Sequence, residues 1–230
     1  MSKIALIDAD ILSYRIGFAT QEETNELYVA GTLRSFITDI LLDLEDVEDY
    51  ECFLSGSSED NFRHQYAVTQ PYKGNRKGSE KPKHFDFIRK LLVEEYEADV
   101  SVGEEADDTI AIRATELGDD AVIVSLDKDF DQVVGWHYNF VKKHLYYVTE
   151  VQAPLNFYRQ FLEGDRVDNI LGCKGIGKLR ASQLLDGKDE DEMFQVCVDK
   201  LGYDRAVENG RLLYLRRVAG EIWEPPNAEV

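Results

Sequence analysis

Two groups of carboxylates, Glu104-Glu105-Ala106-Asp107-Asp108 and Asp127-Lys128-Asp129, flank one short helix-to-strand stretch. Held in one site at about 4 Å, like charges repel by about 4 kcal/mol per pair at an effective dielectric near 20. A positive species between them relieves that repulsion. Oxygen donors select a hard divalent ion, Mg²⁺ or Mn²⁺, over a soft metal. A further pair, Asp8 and Asp10, closes the apolar run Ile4-Ala5-Leu6-Ile7, and side chains two apart share one side of an extended chain. Asp8 reads as a site residue; Asp10 reads either as a second one or as the cap of the helix that follows. Acids in a first helical turn also complement the helix dipole, which accounts for one or two of the acids at 104–108 but not for all four.

These side chains need elements to position them. Residues 2–10 read as a buried strand, followed by helix-compatible 11–18. In open parallel α/β sheets ligands gather at the carboxyl ends of strands, where Asp8 would stand. Helical apolar spacing marks 32–44 and 85–96, and a third helix is expected over 107–116. Strands are expected at 50–54, 99–102 and 121–126, with a β-hairpin over 138–148. Strands alternating with helices imply a mainly parallel α/β domain with helices on both faces. After Pro154 the pattern becomes wholly helical, over 155–162, 176–185, 190–201 and 205–217. The division falls near residue 150, giving an α/β core over 1–150 and a helical subdomain over 151–230 that docks tightly, since no Pro/Gly/Ser linker separates them.

Composition narrows the class. The chain has 230 residues, 43% of them apolar, enough for a normal core without disulfides or structural metal. Cys52, Cys173 and Cys197 are far apart and show no Cys-x-x-Cys spacing, which points to a reducing, cytoplasmic compartment. No apolar run is long enough for a signal peptide or a membrane span. A net charge of −19 argues by itself against a nucleic-acid partner, but eight basic residues against two acids crowd into residues 63–90. Metal ions bound by the carboxylates would further reduce the repulsion of phosphate. Gly74, Gly78 and Pro82 mark this basic segment as a mobile loop. Further on, Gly175-Ile176-Gly177-Lys178 between two helices is a helix-hairpin-helix signal, whose backbone N–H groups can approach a phosphate. Gly-x-Gly here follows a helix, so a dinucleotide loop is excluded by context.

In their order these motifs resemble the 5′ nuclease family, which includes flap endonucleases and phage 5′-to-3′ exonucleases. Ile7-Asp8-Ala9-Asp10 is similar to its first strand end, Tyr72-Lys73-Gly74-Asn75-Arg76 to its arch motif, and Glu105-Ala106-Asp107-Asp108 to its Glu-Ala-Asp-Asp. Ser125-Leu126-Asp127-Lys128-Asp129 and the block from Gly164 to Leu185 complete the set. The resemblance implies a PIN-like core with a helix-hairpin-helix module over 164–185 for duplex DNA, and two Mg²⁺ ions for which Mn²⁺ can substitute. It implies that Asp8, Glu105, Asp107 and Asp127 hold the first ion with Asp108 close by. Asp129, Asp165 and Asp168 would hold the second. Lys73 and Arg76 would stabilise charge at the transition state, and Arg15, Tyr72, Lys77, Lys174, Gly175, Ile176, Gly177 and Lys178 would contact nucleic acid.

The implied activity is hydrolysis of DNA from 5′ ends, nicks or 5′ flaps, giving 5′-phosphate and 3′-hydroxyl products, in phage DNA replication or degradation. Removal of RNA from RNA–DNA hybrids is an alternative, and a non-catalytic structure-specific DNA-binding protein is another. The second is suggested by one departure. Many relatives carry a carboxylate where this chain has Ser55, and Glu59 or Asp60 are the nearby acids that could replace it. Residues 21–30 and 219–230 have no reading at this level.

Overall fold

The computed structural model describes residues 3–226 apart from 77 and 79. Its centre is a mixed six-stranded sheet of β1 (Lys3–Asp8), β2 (Val47–Leu54), β3 (Asp99–Val100), β4 (Ala121–Val124), β5 (Gly135–Asn139) and β6 (His144–Val148). The order is β3-β2-β1-β4-β5-β6, parallel except for the β5–β6 hairpin. β1 occupies the middle because both of its faces are apolar. Ala5 and Ile7 pack with Leu12, Leu33 and Ile88 on one side, and Leu6 packs with Ile110, Ala111 and Ile123 on the other.

Apart from Ile123 of β4, those partners come from α1 (Ala9–Ala19), α2 (Glu26–Leu42) and α3 (Phe85–Tyr96) on the first face and α4 (Ala106–Leu117) on the second. Helix α2 begins well before the expected residue 32. Asn25 caps it by accepting from Leu27 N at 3.0 Å, and this draws part of the unread segment into the helix. Among the described residues no helix is long and apolar enough to cross a membrane.

A second core belongs to the C-terminal helical subdomain: α5 (Gln152–Glu163), α6 (Lys178–Leu185), α7 (Glu190–Leu201) and α8 (Tyr203–Leu213) enclose Phe157, Phe161, Phe194 and Trp223. Between α5 and α6 a two-stranded ribbon, β7 (Gly164–Asp165) and β8 (Ile170–Leu171), turns the chain back on itself. Gly164, at φ +70°, lies so close to Gly172 that an added Cβ would come within 2.2 Å of the Gly172 nitrogen. Glycine is required on both sides of that crossing. The last expected helix is shorter than 205–217. After Leu213 the chain leaves the helix and returns to the sheet lobe, where Gln132 Oε1 accepts from Leu215 N at 3.0 Å and Asp108 Oδ1 accepts from Arg216 N at 3.2 Å.

Candidate active site

The carboxylates meet at the carboxyl ends of β1 and β4, beside the first turn of α4. Asp8 ends β1 and caps α1, its Oδ1 accepting from Ile11 N at 3.4 Å. Its Oδ2 accepts from Ser125 Oγ at 2.8 Å, and that same hydroxyl accepts from Asp127 N at 3.0 Å. Ser125 therefore ties the ends of two neighbouring strands together. Asp127 caps the 3-10 turn Lys128–Gln132 by accepting from Asp129 N at 2.9 Å. Asp129 in turn accepts from Gln160 Nε2 of α5 at 2.8 Å, which anchors it to the helical subdomain.

Electrostatics mark these groups as one cluster. Burial, reinforced by the charges of Asp10 and Asp127, pushes the Asp8 carboxyl from an ordinary 3.8 up to about 7. Asp107, in the first turn of α4, is driven well up by burial and by the charges of Asp8, Asp127 and Glu105. Burial raises Asp127, partly opposed by its cap bond from Asp129, and burial with Asp127 and Asp165 raises Asp129 to about 8. Each of these groups resists ionisation because burial and neighbouring carboxylates outweigh the nearby cations, Lys128 standing 3.9 Å from Asp129. All the donors are oxygens, so the set fits a hard divalent ion, whose charge would reverse those shifts.

Other expected ligands are already engaged by cations of the chain. Glu105 accepts from Lys73 Nζ and, at 2.8 Å, from the Tyr72 hydroxyl. Burial would raise Glu105, but Lys73 and Arg63 outweigh it and hold the carboxyl below its usual range. Asp168 accepts from Arg76 at 2.6 Å and from the Tyr72 hydroxyl at 2.9 Å. Asp165, buried on the ribbon, accepts from Val167 N at 2.6 Å and lies 3.7 Å from Lys128 Nζ. As the side chains stand, no three Asp, Glu, His or Cys among the described residues are grouped to hold a metal ion.

Several expectations need correction. Asp108 does not sit with the ligands: fully buried, it takes a bidentate pair from Arg63 at 2.5 and 2.8 Å. Arg63 is correspondingly 2% exposed, so it belongs to the scaffold and not to a basic surface. Tyr72 is buried and bridges Glu105 and Asp168, a positioning role in place of open contact with nucleic acid. The segment around it is stitched down. Asp168 O accepts from Lys73 N at 2.9 Å, Arg166 O from Asn75 at 2.6 Å, and Pro71 O from Asn169 at 2.9 Å. A loop read as mobile from its glycines is thus fastened to the ribbon.

Asp10 neither caps α1 nor joins the cluster freely. It accepts from Arg89 at 2.6 Å and from Ser55 N at 2.9 Å. Ser55 Oγ accepts from Ala106 N at 3.0 Å, so Ser55 satisfies the first free N–H of α4 from across the sheet edge. Arg15 lies with its guanidinium over the Phe36 ring, 5.5 Å from its centroid. Lys174, Gly175 and Gly177 form an exposed turn before α6, which begins at Lys178, while Ile176 packs against the second core. Lys77 lies outside the described residues. Sequence reasoning missed Arg63, Ser125 and Gln160; a serine two residues before Asp127 was a visible signal for the second, whereas the pairings of Arg63 and Gln160 span 45 and 31 residues.

Comparison with known proteins places this geometry. Residues 3–158 match the family model for the 5′-3′ exonuclease, N-terminal resolvase-like domain. DNA polymerase I of Bacillus caldotenax is 27% identical over 243 residues, spanning 91% of this chain and 26% of that protein. Thermostable DNA polymerase I of Thermus thermophilus is 27% identical, spanning 80% of this chain and 24% of its own length. The chain thus corresponds to about a quarter of these relatives. Among solved structures, bacteriophage T5 5′-exonuclease with bound zinc superposes with a TM-score of 0.67 at 18% identity, over 92% of this chain and 89% of that one. The T5 flap endonuclease complexed with DNA and metal ions has a TM-score of 0.61 at 18% identity, over 90% and 92%. At such identities the likeness speaks for the fold.

Proposed function

The chain belongs to the 5′-3′ exonuclease family, and from that membership we propose that it is a divalent-metal-dependent 5′ nuclease. It hydrolyses DNA phosphodiester bonds from 5′ ends or at 5′ flaps and leaves 5′-phosphate and 3′-hydroxyl products. The carrying observation is the meeting of Asp8, Asp107, Asp127 and Asp129, each of whose carboxyls burial and acidic neighbours push up. A purely DNA-binding surface gains nothing from such a cluster beside phosphate. The sheet lobe over 1–150 acts as the PIN-like nuclease core, and 151–230 as the helical subdomain that holds duplex.

Asp8, Glu105, Asp107 and Asp127 would hold one ion, and Asp129, Asp165 and Asp168 a second, with Mg²⁺ the natural occupant of an all-oxygen set. When bound, the ions supply Lewis acidity to the scissile phosphate and an attacking water. The chain supplies the rest. Lys73 and Arg76, paired here with Glu105 and Asp168, would offer their charge to the phosphate once those carboxylates held an ion. Tyr72 keeps Glu105 and Asp168 in register across the two lobes. The exposed turn at Gly175–Gly177, with Lys174 and Lys178, offers backbone N–H groups and cations to the duplex backbone without reading bases.

Gel analysis of 5′-labelled duplex, nicked and flapped DNA, with Mg²⁺ or EDTA and with Asp127→Asn, tests the proposal. Metal-dependent release of labelled nucleotides or flap fragments, abolished in the variant, is expected. Intact substrate that nevertheless shifts in the gel would establish a binding protein instead.

A further inference from the structure

The outer edge of the six-stranded sheet carries a groove that the nuclease chemistry does not use. β3 is two residues long, and its register with β2 covers only Phe53 and Leu54. Leu54 O accepts from Ser101 N at 2.9 Å, so Leu54 turns its backbone groups toward this edge. With period two along the strand, Tyr50 and Cys52 turn theirs the same way. Beyond β3 the edge opens on a cavity of about 520 Å³ between β2 and the end of α3, lined by residues 49–53 and by Tyr96, Glu97 and Asp99 among others.

Charge decides what could enter. Two carboxylates of the groove are neutralised from outside, Glu51 by Arg113 at 2.7 Å and Glu95 by Arg34 at 2.6 Å. Among the described residues no basic side chain lies within ion-pair distance of the other three, Asp49, Glu97 and Asp99. Beside them the rings of Tyr50 and Tyr96 stand 6.2 Å apart. An open edge ordinarily invites pairing with another edge. A second copy of this chain would bring the same carboxylates opposite one another, which is repulsive. Nucleic acid would bring phosphates to them. A strand bearing cations meets both needs of the site, backbone partners for Tyr50 and Cys52 and positive charge for the three acids.

We propose that this groove is a docking site for an extended, lysine- or arginine-bearing polypeptide segment that adds as a strand beside residues 49–52 of β2. Asp49 now plugs the edge, its Oδ1 accepting from Tyr50 N at 2.8 Å. Swinging away frees that N–H for the incoming strand and aims the carboxylate at an incoming cation. The two tyrosine rings give the stem and charge of a lysine or arginine a face to lie on.

The probe is a capped heptapeptide of alternating lysine and valine, titrated calorimetrically against the full chain, with hydrogen exchange followed at the Tyr50 and Cys52 amides. Micromolar binding is expected, with exchange at both amides slowed about ten-fold or more at saturation. Glu97→Lys combined with Asp99→Lys should weaken binding about ten-fold or more, whereas the same charge change at exposed Glu22 and Asp186 should alter it less than about two-fold. The same peptide N-methylated at alternate amides, unable to complete a ladder, should lose about ten-fold. Failure of the unmodified peptide to bind, unchanged exchange at Tyr50 and Cys52, or equal binding by the N-methylated peptide or by spermine would overturn the proposal.

Discussion

Replacing Arg63 by methionine separates scaffold from ligand in the acidic cluster. The guanidinium is 2% exposed and faces Asp108, which has no exposure at all. It also donates to Leu212 O at 2.9 Å and Tyr214 O at 2.8 Å, pinning the return of the C-terminal chain. Removing one partner of a buried pair costs about 3–5 kcal/mol. The two orphaned carbonyls add roughly 1 kcal/mol each. A loss of about 5–7 kcal/mol rivals the whole stability of many domains, so Arg63→Lys, which keeps charge but not the bidentate pair, is the companion variant. Urea unfolding followed by circular dichroism gives the stability, and calorimetric titration of Mg²⁺ onto the folded protein gives the metal affinity. Asp108→Asn should lose about 3 kcal/mol or more of stability while metal affinity stays within about two-fold. Asp127→Asn should do the reverse, losing metal affinity and keeping or gaining stability, because it removes a carboxyl that resists ionisation. If Asp108→Asn unfolds at the wild-type urea concentration yet binds metal ten-fold more weakly, the assignment of Asp108 to the scaffold is wrong.

Stability without metal should fall as pH rises. Asp8 and Asp129 have folded values of about 7 and about 8 against an ordinary 3.8, so the native state keeps protons that the unfolded chain has released. Their contribution is intact below pH 3.8 and is lost as pH climbs to about 8; holding Asp8 ionised costs roughly 4 kcal/mol. Thermal melts in EDTA should show this decline, and Mg²⁺ should abolish most of it. Lys73→Met should slow single-turnover cleavage about 10²–10³-fold. Because Lys73 helps hold Glu105 low, the rise of rate with pH should also move to higher pH, and an unmoved profile would mean that the two do not interact in the working enzyme. Lys174→Ala should weaken duplex binding across sequences and reduce its salt slope by about 1, measured by fluorescence anisotropy at several salt concentrations. Tyr72→Phe should cost about 1–2 kcal/mol in urea unfolding, since Glu105 and Asp168 lose a shared donor.

Much of the architecture is written locally. The run Ile4–Ile7, apolar on both faces, determines a central strand, and Asp8 behind it determines a carboxylate at the strand's end. The amphipathic spacing of 85–96 and the acidic start of α7 set two helices at their observed bounds, Phe85–Tyr96 and Glu190–Leu201. Types and spacing alone also announce that a cation must meet the acids at 104–108 and 127–129. Which acids meet it is a tertiary matter. Asp107 and Asp108 are adjacent in the chain, yet the helical turn points Asp107 toward Asp8 and Asp127 and buries Asp108 against Arg63, 45 residues away. Lys73 and Arg76 read equally well as a free basic loop until the ribbon at 164–171 is in place to receive them. Ser55 looks like a missing ligand in sequence and in space accepts from the first N–H of α4, with Asp10 and Arg89 closed around its backbone. Side-chain chemistry and local period are properties of neighbours along the chain, so the sequence by itself determines the elements and the kind of site. The partner of each charge depends on distances closed only by packing, and the tertiary structure alone decides which carboxylate is scaffold and which is left to bind.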